Sequence, residues 1–460
     1  MFRKVNKIHF VGIGGIGMSG IAELLLNQGF NVSGSDITES EITENLKQKG
    51  ALINIGHNAS NLKESEVLVY SSAVSMDNVE LAKAVEMQIP IIKRAEMLGE
   101  LIALKNTSIA VGGTHGKTST SSMIGALLSE ANLDPTLVVG GLVKNINSNS
   151  KLGSGDIVVV EADEYDKSFL QLKPTIAVIT NIEKEHMDCY LNMQDLSDSF
   201  VQFANSVPFY GSVILCDESK EIQSIKGHIK KPITSYGFST NSDVVATSIV
   251  SNEMTTSFKL MIENKECGMV VLNVPGKHNV LNALAAAALG FELGVDEKTI
   301  IKGLNSYQGV RRRFELKGVV NDTIVIDDYA HHPTEVRATL ETAKTSWDSR
   351  LISIFQPHLF SRTKEFYKEF AQSLTLSDVV IVTDIYPARE KPISGVTGKF
   401  VYDELITLGH KNPFYKPKSL TIYPIWFNKI SKNNDMVMTL GAGTIWRYGE
   451  KIINRLKSNK

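Results

Sequence analysis

Apolar and polar positions fall into blocks along the chain, and the blocks change period. The opening run KIHFVGI is short and almost continuously apolar, the pattern of a strand buried on both faces. Residues 18–28 switch to helical spacing, 30–33 return to a strand, and 67–69 predict a third. A second block begins with a strand at 108–111, followed by a glycine-rich turn and a helix, and continues with buried strands at 156–160 and 176–180. From about 213 to 274 the runs are short, alternating and split by polar turns, which predicts antiparallel strands; a helix over 279–293 follows. The last block restarts the alternation, with strands at 323–326, 351–355, 379–383 and 436–440. Strands alternating with helices predict an α/β chain with parallel sheets and crossover connections.

Composition narrows the class. At about 150 residues per domain, 460 residues predict two to four domains, with candidate boundaries near 100–107 and 316–322. Forty-eight Lys and Arg against 50 Asp and Glu leave a net charge of −2, too balanced for a protein that tracks nucleic acid through its phosphates. No stretch approaches the roughly 20 apolar residues of a membrane span, so no membrane insertion is expected. Basic residues precede an apolar run at the start, as in a secretory signal, but five glycines in HFVGIGGIGMSG would break a signal helix. Three cysteines without CxxC spacing argue against a disulfide framework or a zinc site and for a cytoplasmic protein.

Candidate chemistry lies at the ends of the strands. GIGGIG (12–17) is a GxGxxG pattern between a strand and a helix. Gly12 permits the turn, Gly14 lets backbone approach a diphosphate, Gly17 allows close packing, and Asp36 follows the second strand where an acid meets a ribose hydroxyl. The alternative is a glycine turn without a ligand. GGTHGKTST (112–120) is a phosphate loop with one irregularity, Val111 where a strict GxxxxGK[ST] has glycine. Gly113 and Gly116 free the backbone to wrap phosphate, Lys117 brings a charge to the β- and γ-phosphates, and Thr118 offers a hydroxyl to Mg2+. EADEYD (161–166) follows a buried strand. Glu161 is the first choice of metal ligand there, while Asp163, Glu164 and Asp166 fit a solvated loop equally well. His186, in TNIEKEHMD after the next strand, is a further candidate ligand, with a structural histidine as its alternative. Asn279 and Asn282 fit either helix caps or contacts to an adenine edge. Arg311, Arg312 and Arg313 fit either ATP phosphates or a solvated face. In DDYAHHP and FQPHLFSRT, Asp328, His331, His332, His358 and Arg362 follow predicted strands. They suit a small carboxylate substrate or, alternatively, buried hydrogen-bonded histidines.

Taken in order, GIGGIGMSG, GTHGKTST, EADE, TNIEKEHMD, PGKHN, RRFE, DDYAHHP and FQPH..SRT resemble the Mur ligase family over about residues 8–446. HFVGIGGIGMSG and DDYAHHPTE look most like the branch that joins L-alanine to UDP-N-acetylmuramate. The resemblance implies three domains: a Rossmann-like UDP-sugar domain (1–105), a central P-loop ATPase-type domain (106–317) and a Rossmann-like amino-acid domain (318–460). It implies ATP and Mg2+ as cofactors, an acyl-phosphate route, and a monomer or weak homodimer. By the same resemblance Gly14, Gly15, Ile16 and Gly17 hold the UDP diphosphate with Asp36, Ser71 and Ser72 nearby. Gly113, Thr114, His115, Gly116, Lys117, Thr118 and Ser119 hold ATP, joined by Asn279 at adenine, Asp328 at ribose, and Arg312 and Arg313. Thr118, Glu161 and His186 look like the metal set. Tyr329, His331, His358 and Arg362 look like the amino-acid side, and Lys117, His186 and Arg362 like the catalytic groups. Four positions depart from the family pattern: Tyr165, Leu359, Phe360 and Thr444. No lysine in 186–200 matches the carbamylated lysine of many relatives. Three rival readings are a sister ligase adding a preformed tripeptide, an NAD(P) oxidoreductase, and a non-catalytic nucleotide-binding regulator.

Overall fold

The computed structural model describes residues 5–458 except 72, 389 and 417–429. Three sheets follow one another along the chain. The first contains β1 (Lys7–Val11), β2 (Asn31–Asp36), β3 (Leu52–Ile55), β4 (Val67–Tyr70) and β5 (Ile91–Lys93), in the order β3-β2-β1-β4-β5. Every pairing is parallel. The chain therefore builds outward from β1 to β3 and then returns to lay β4 on the other flank of β1. That reversal opens a crevice at the carboxyl ends of β1 and β4, where open α/β sheets bind ligands.

The second sheet contains β6 (Thr107–Gly112), β7 (Thr136–Val143), β8 (Ser148–Lys151), β9 (Ile157–Glu161), β10 (Ile176–Ile179), β11 (Ser212–Cys216), β12 (Ile233–Gly237), β13 (Val244–Asn252), β14 (Thr255–Ile262) and β15 (Lys265–Leu272). Its order is β15-β14-β13-β12-β11-β10-β6-β9-β7-β8. Here the antiparallel expectation for 213–274 is corrected in its first part, up to the start of β13: β10–β11, β11–β12 and β12–β13 all pair in parallel. The physical reason is burial. β11 is buried at all five positions, and the helix Lys220–Ile225 supplies a crossover to β12, so the polar turns there are loops of β-α-β units. Only β13, β14 and β15 are neighbours joined by two-residue turns, and β14 shows strict alternation of buried and half-buried positions.

The third sheet contains β16 (Glu315–Val320), β17 (Thr323–Asp328), β18 (Arg350–Phe355), β19 (Val379–Val382), β20 (Pro413–Tyr415) and β21 (Asp435–Leu440), in the order β16-β17-β21-β18-β19-β20. All pairs are parallel except β16–β17. Two apolar clusters cover it, one around Phe355, Phe370 and Leu440, the other around Ile352, Val437 and Ile452.

By packing, the chain forms two compact units. One comprises Met1–Ile249, Phe258–Leu272 and Asn279–Gln308 and carries the first sheet and most of the second; the other comprises Val250–Ser257, Asn273–His278 and Gly309–Lys460 and carries the third. Among the described residues no helix is long and apolar enough to cross a membrane, and Cys189, Cys216 and Cys267 are free thiols.

Candidate active site

In the first unit, the GxGxxG segment turns at the crevice between β1 and β4. Gly12 has φ +80°, a conformation that favours glycine, and its N–H together with that of Ile13 donates to Ser35 O (2.9 and 3.0 Å). Gly14 N donates to Asp36 Oδ2 at 2.8 Å, so Asp36 holds the loop itself. Gly15 caps the helix Ile16–Asn27 with no side-chain bond, leaving the helix N-terminus to backbone N–H groups. Gly17 sits against Arg94, whose Nη1 would lie 3.0 Å from an added Cβ. Ser71 follows β4, with its Cβ beside Gly12. Ser72 lies outside the described residues.

The phosphate loop leaves β6 one residue later than a strict pattern requires. Val111 is fully buried in the strand and pairs with Glu161 and Val178. The two loop glycines answer to close approach as well as to backbone angle. A Cβ on Gly113 (φ +130°) would lie 2.1 Å from Thr180 Oγ1, and one on Gly116 (φ +84°) 2.6 Å from Asn282 Oδ1. Asn181 braces the loop: Thr114 N donates to its carbonyl (3.1 Å), and its side chain bonds His115 N (2.8 Å) and His115 O (3.0 Å). His115 Nε2 lies 3.5 Å from Glu183 Oε2. Lys117, Thr118 and buried Ser119 form the first turn of the helix Lys117–Glu130.

Lys117 Nζ donates to Gly113 O (2.6 Å), Thr114 O (3.2 Å) and Glu164 Oε2 (2.7 Å). Glu164, for which a solvated loop was one of two readings, is 1% exposed. Burial pushes its carboxyl up to about 7, against the pull of the Lys117 ammonium. Burial works against the Lys117 charge, but Glu164, Asp163 and Glu161 together outweigh it and hold the lysine protonated. Glu164 Oε1 lies 3.7 Å from His186 Nε2, so one buried carboxylate stands between the loop lysine and that histidine. Tyr165 meets the His186 ring edge-on at 5.1 Å. Glu161, at the end of β9, accepts Gly140 N at 2.6 Å. Asp163 pairs with Arg94 at 3.2 Å. Neither Arg94 nor the central place of Glu164 carries a signal in the hydrophobic pattern.

Asn279 and Asn282 lie inside the helix Lys277–Glu292 and do not cap it. Asn282 bonds Asn279 Oδ1 (3.2 Å) and accepts from Thr120 Oγ1 (3.1 Å), tying that helix to the one after the phosphate loop.

In the second unit, Arg312 and Arg313 are packed inward. Arg312 bonds Asp327 (3.0 Å) and Gly441 O (2.6 Å), and Arg313 bonds Glu335 (3.2 Å). Their guanidinium carbons lie 4.9 and 5.3 Å from the centre of the Tyr329 ring, within cation–π range. These contacts exclude the solvated-face reading for the pair; Arg311 is exposed. Asp328, 5% exposed, accepts Phe314 N and Ala330 N at 2.8 Å each, and burial pushes its carboxyl up to about 6. His331 Nδ1 lies 3.0 Å from Tyr329 O and 3.2 Å from Glu335 Oε2. His331 also meets the His358 ring edge-on at 5.7 Å, and His358 stacks on Tyr386 at 5.8 Å. Arg362 Nη1 lies 3.1 Å from His358 Nδ1. Guanidinium only donates, so the Nδ1 of His358 carries the lone pair in this contact. His332 caps the helix Pro333–Ser346, which is a structural role. Tyr386, missed in the sequence, is brought here by a bridge to His358.

Each of the three sheets thus carries its polar groups at the carboxyl ends of its strands. Three family models match in the same order: the Mur ligase family catalytic domain over residues 7–106, the Mur ligase middle domain over 111–290, and the Mur ligase glutamate ligase domain over 312–443. The chain belongs to the Mur ligase family. Among Mur ligases, it is 48% identical over 459 residues to the UDP-N-acetylmuramate–L-alanine ligase of Geotalea uraniireducens, covering 100% of both chains. A solved UDP-N-acetylmuramate–alanine ligase from Thermotoga maritima matches with a TM-score of 0.84 and 31% identity, covering 99% of this chain and 100% of that one. A murein peptide ligase from Psychrobacter arcticus matches with a TM-score of 0.73 and 25% identity, covering 98% of each chain.

Proposed function

We propose that this Mur ligase joins L-alanine to the carboxylate of UDP-N-acetylmuramate at the expense of ATP, a step of peptidoglycan precursor synthesis in the cytoplasm. The observation that carries the reading is Lys117, charged and lodged in a glycine loop with buried Glu164, in a chain collinear with a named L-alanine ligase from end to end. Residues 1–105 would take the sugar nucleotide, 106–317 ATP and 318–460 the amino acid, the segment from Gly309 packing with the last of these. The protein would act as a monomer or weak homodimer.

The chemistry follows from the groups. A carboxylate is a poor acylating agent, and its charge repels the γ-phosphate. Lys117 offsets that repulsion while the carboxylate oxygen attacks the γ-phosphorus and ADP leaves. The neutral amine of L-alanine then attacks the acyl carbon. Phosphate departs, the amine gives up a proton, and an amide remains. Arg362, beside His358 and His331, offers a cation to the substrate carboxylate and to the oxyanion of the tetrahedral intermediate. The donor set of Thr118, Glu161 and His186, two oxygen groups and an imidazole, fits Mg2+ through its oxygens, and these residues would hold it. Bound there, Mg2+ supplies positive charge at the phosphates. Gly14, Gly15, Ile16 and Gly17 would receive the UDP diphosphate with Asp36, Ser71 and Ser72. Gly113–Ser119, Asn279, Arg312, Arg313 and Asp328 would receive ATP, and Tyr329, His331, His358 and Arg362 the amino acid.

Phosphate release from ATP is the test. It should require both UDP-N-acetylmuramate and L-alanine, and a preformed tripeptide should not replace L-alanine. Equal turnover with the tripeptide would move the protein to the murein peptide ligase branch.

A further inference from the structure

The first sheet contains a buried polar cluster that this chemistry does not use. Glu80, in the helix Val79–Glu86, has no exposed surface. Its Oε2 accepts the Ser35 hydroxyl at 2.6 Å and lies 3.6 Å from His9 Nε2 and 3.5 Å from His57 Nδ1. Its Oε1 accepts Asn58 N at 3.1 Å and the Asn61 side-chain amide. Burial opposes the charge, but the nearby His9 ring and the bonds from Ser35, Asn61 and Asn58 outweigh it and hold the carboxyl at about 2. A buried carboxylate is an expensive way to fill space; an apolar side chain would fill it more cheaply.

What the carboxylate grips explains its presence. Ser35 is the residue whose carbonyl takes both Gly12 N and Ile13 N. Ser35 spends its single hydroxyl proton on Glu80, so His57 Nδ1, 2.9 Å from Ser35 Oγ, is the donor in that contact. On its other oxygen Glu80 fixes Asn61, which bonds Gly56 O at 3.3 Å, and Gly56 N in turn bonds Asp36 O at 2.7 Å. Asp36 is the acid that takes Gly14 N. Glu80 therefore holds, from both sides, the strand end that shapes the turn at 12–15.

We infer that Glu80 is a positioning residue for the sugar-nucleotide loop, acting through Ser35 and through the 56–61 segment on Asp36. The inference rests on the reading that this loop receives the UDP sugar. Glu80→Gln keeps the volume but puts an N–H2 where Ser35 and His57 now find an anion. Steady-state kinetics of Glu80→Gln and Ser35→Ala should show KM for UDP-N-acetylmuramate raised about tenfold, the scale of a small misplacement by a remote change. The KM values for ATP and L-alanine, and kcat, should stay within about twofold. A uniform loss across all three substrates, or an unchanged sugar-nucleotide KM, overturns the assignment. If Glu80→Gln does not fold, Ser35→Ala decides by the same measurements. Gly14→Ala separates the premise from the inference: its Cβ would sit 2.8 Å from Asp36 Oδ2. Wild-type sugar-nucleotide binding by Gly14→Ala in calorimetry overturns the loop reading. Impaired binding there with normal Glu80→Gln kinetics overturns only the role of Glu80.

Discussion

Lys117 Nζ and Glu164 Oε2 lie 2.7 Å apart in a site where the glutamate is 1% exposed. A lysine so held is pre-placed, but its charge is already partnered. If Lys117 serves ATP as proposed, incoming phosphate oxygens must take over from Glu164, Gly113 O and Thr114 O. The raised carboxyl of Glu164 would make that exchange easier, because a proton can neutralise it once the lysine is drawn away.

The first prediction concerns Lys117→Ala. Removing one partner of a buried pair usually costs about 3–5 kcal/mol, but here Glu164 can take up a proton, so the fold should survive. Phosphoryl transfer should fall by on the order of 100- to 1000-fold, as when one charge-stabilising donor is lost. UDP-sugar affinity, which the proposed reading places at the first sheet, should hold. Phosphate release and calorimetry measure the two effects, and near-normal turnover removes Lys117 from the phosphate site.

The second concerns His186. It has φ +58°, an uncommon angle for a non-glycine residue, and its ring is fixed by Tyr165 and Glu164. If it holds Mg2+, His186→Ala should raise the Mg2+ concentration for half-maximal turnover about tenfold or more. An unchanged Mg2+ titration excludes it as a ligand.

Much of this site was legible because phosphate-binding loops are local. Gly12, Gly14, Gly113, Gly116 and Lys117 sit within two short segments between a strand and a helix. The four strands read in the third block are all present. Edge strands were missed: β3 is largely exposed and β5 has three residues, so neither makes a buried run. The antiparallel reading of 213–274 holds for β13, β14 and β15 but failed before them, because β11 and β12, short and split by polar turns, resemble hairpin strands until burial on both faces is seen. Val111 looked like a defect in the phosphate loop only because the end of β6 was unknown. Glu164, Arg94 and Tyr386 depend on tertiary approach, through Lys117, Gly17 and His358, and no spacing announces such contacts.

The third prediction is a pH dependence. Burial raises Asp328 to about 6 in the fold, against about 3.9 for an unfolded aspartate. The folded state therefore binds more protons than the unfolded one between these values, and stability falls as pH rises through this window. Two units correspond to at most about 3 kcal/mol. Asp328→Asn carries a pH-independent cost, because an amide cannot accept both Phe314 N and Ala330 N. Its melting temperature should nonetheless gain on that of the parent from pH 4 to pH 6.5. Parallel melting curves across that range would show that Asp328 does not titrate there.

The fourth prediction tests the amino-acid side. Arg362 is 7% exposed and reaches His358, whose ring stacks on Tyr386 and meets His331. A planar, always-charged guanidinium in such a frame suits a carboxylate of fixed orientation. Loss of a charged hydrogen bond costs about 1.5–3 kcal/mol, so Arg362→Ala should raise KM for L-alanine by roughly 10- to 100-fold. If Arg362 also steadies the oxyanion, kcat falls as well, whereas the ATP KM stays near its parent value. Arg362→Lys keeps the charge but not the fork, so it should recover only part of the loss. An L-alanine KM unchanged in Arg362→Ala would place the amino-acid carboxylate elsewhere, and full recovery by lysine would show that charge alone, not the frame built with His358, is what the substrate meets.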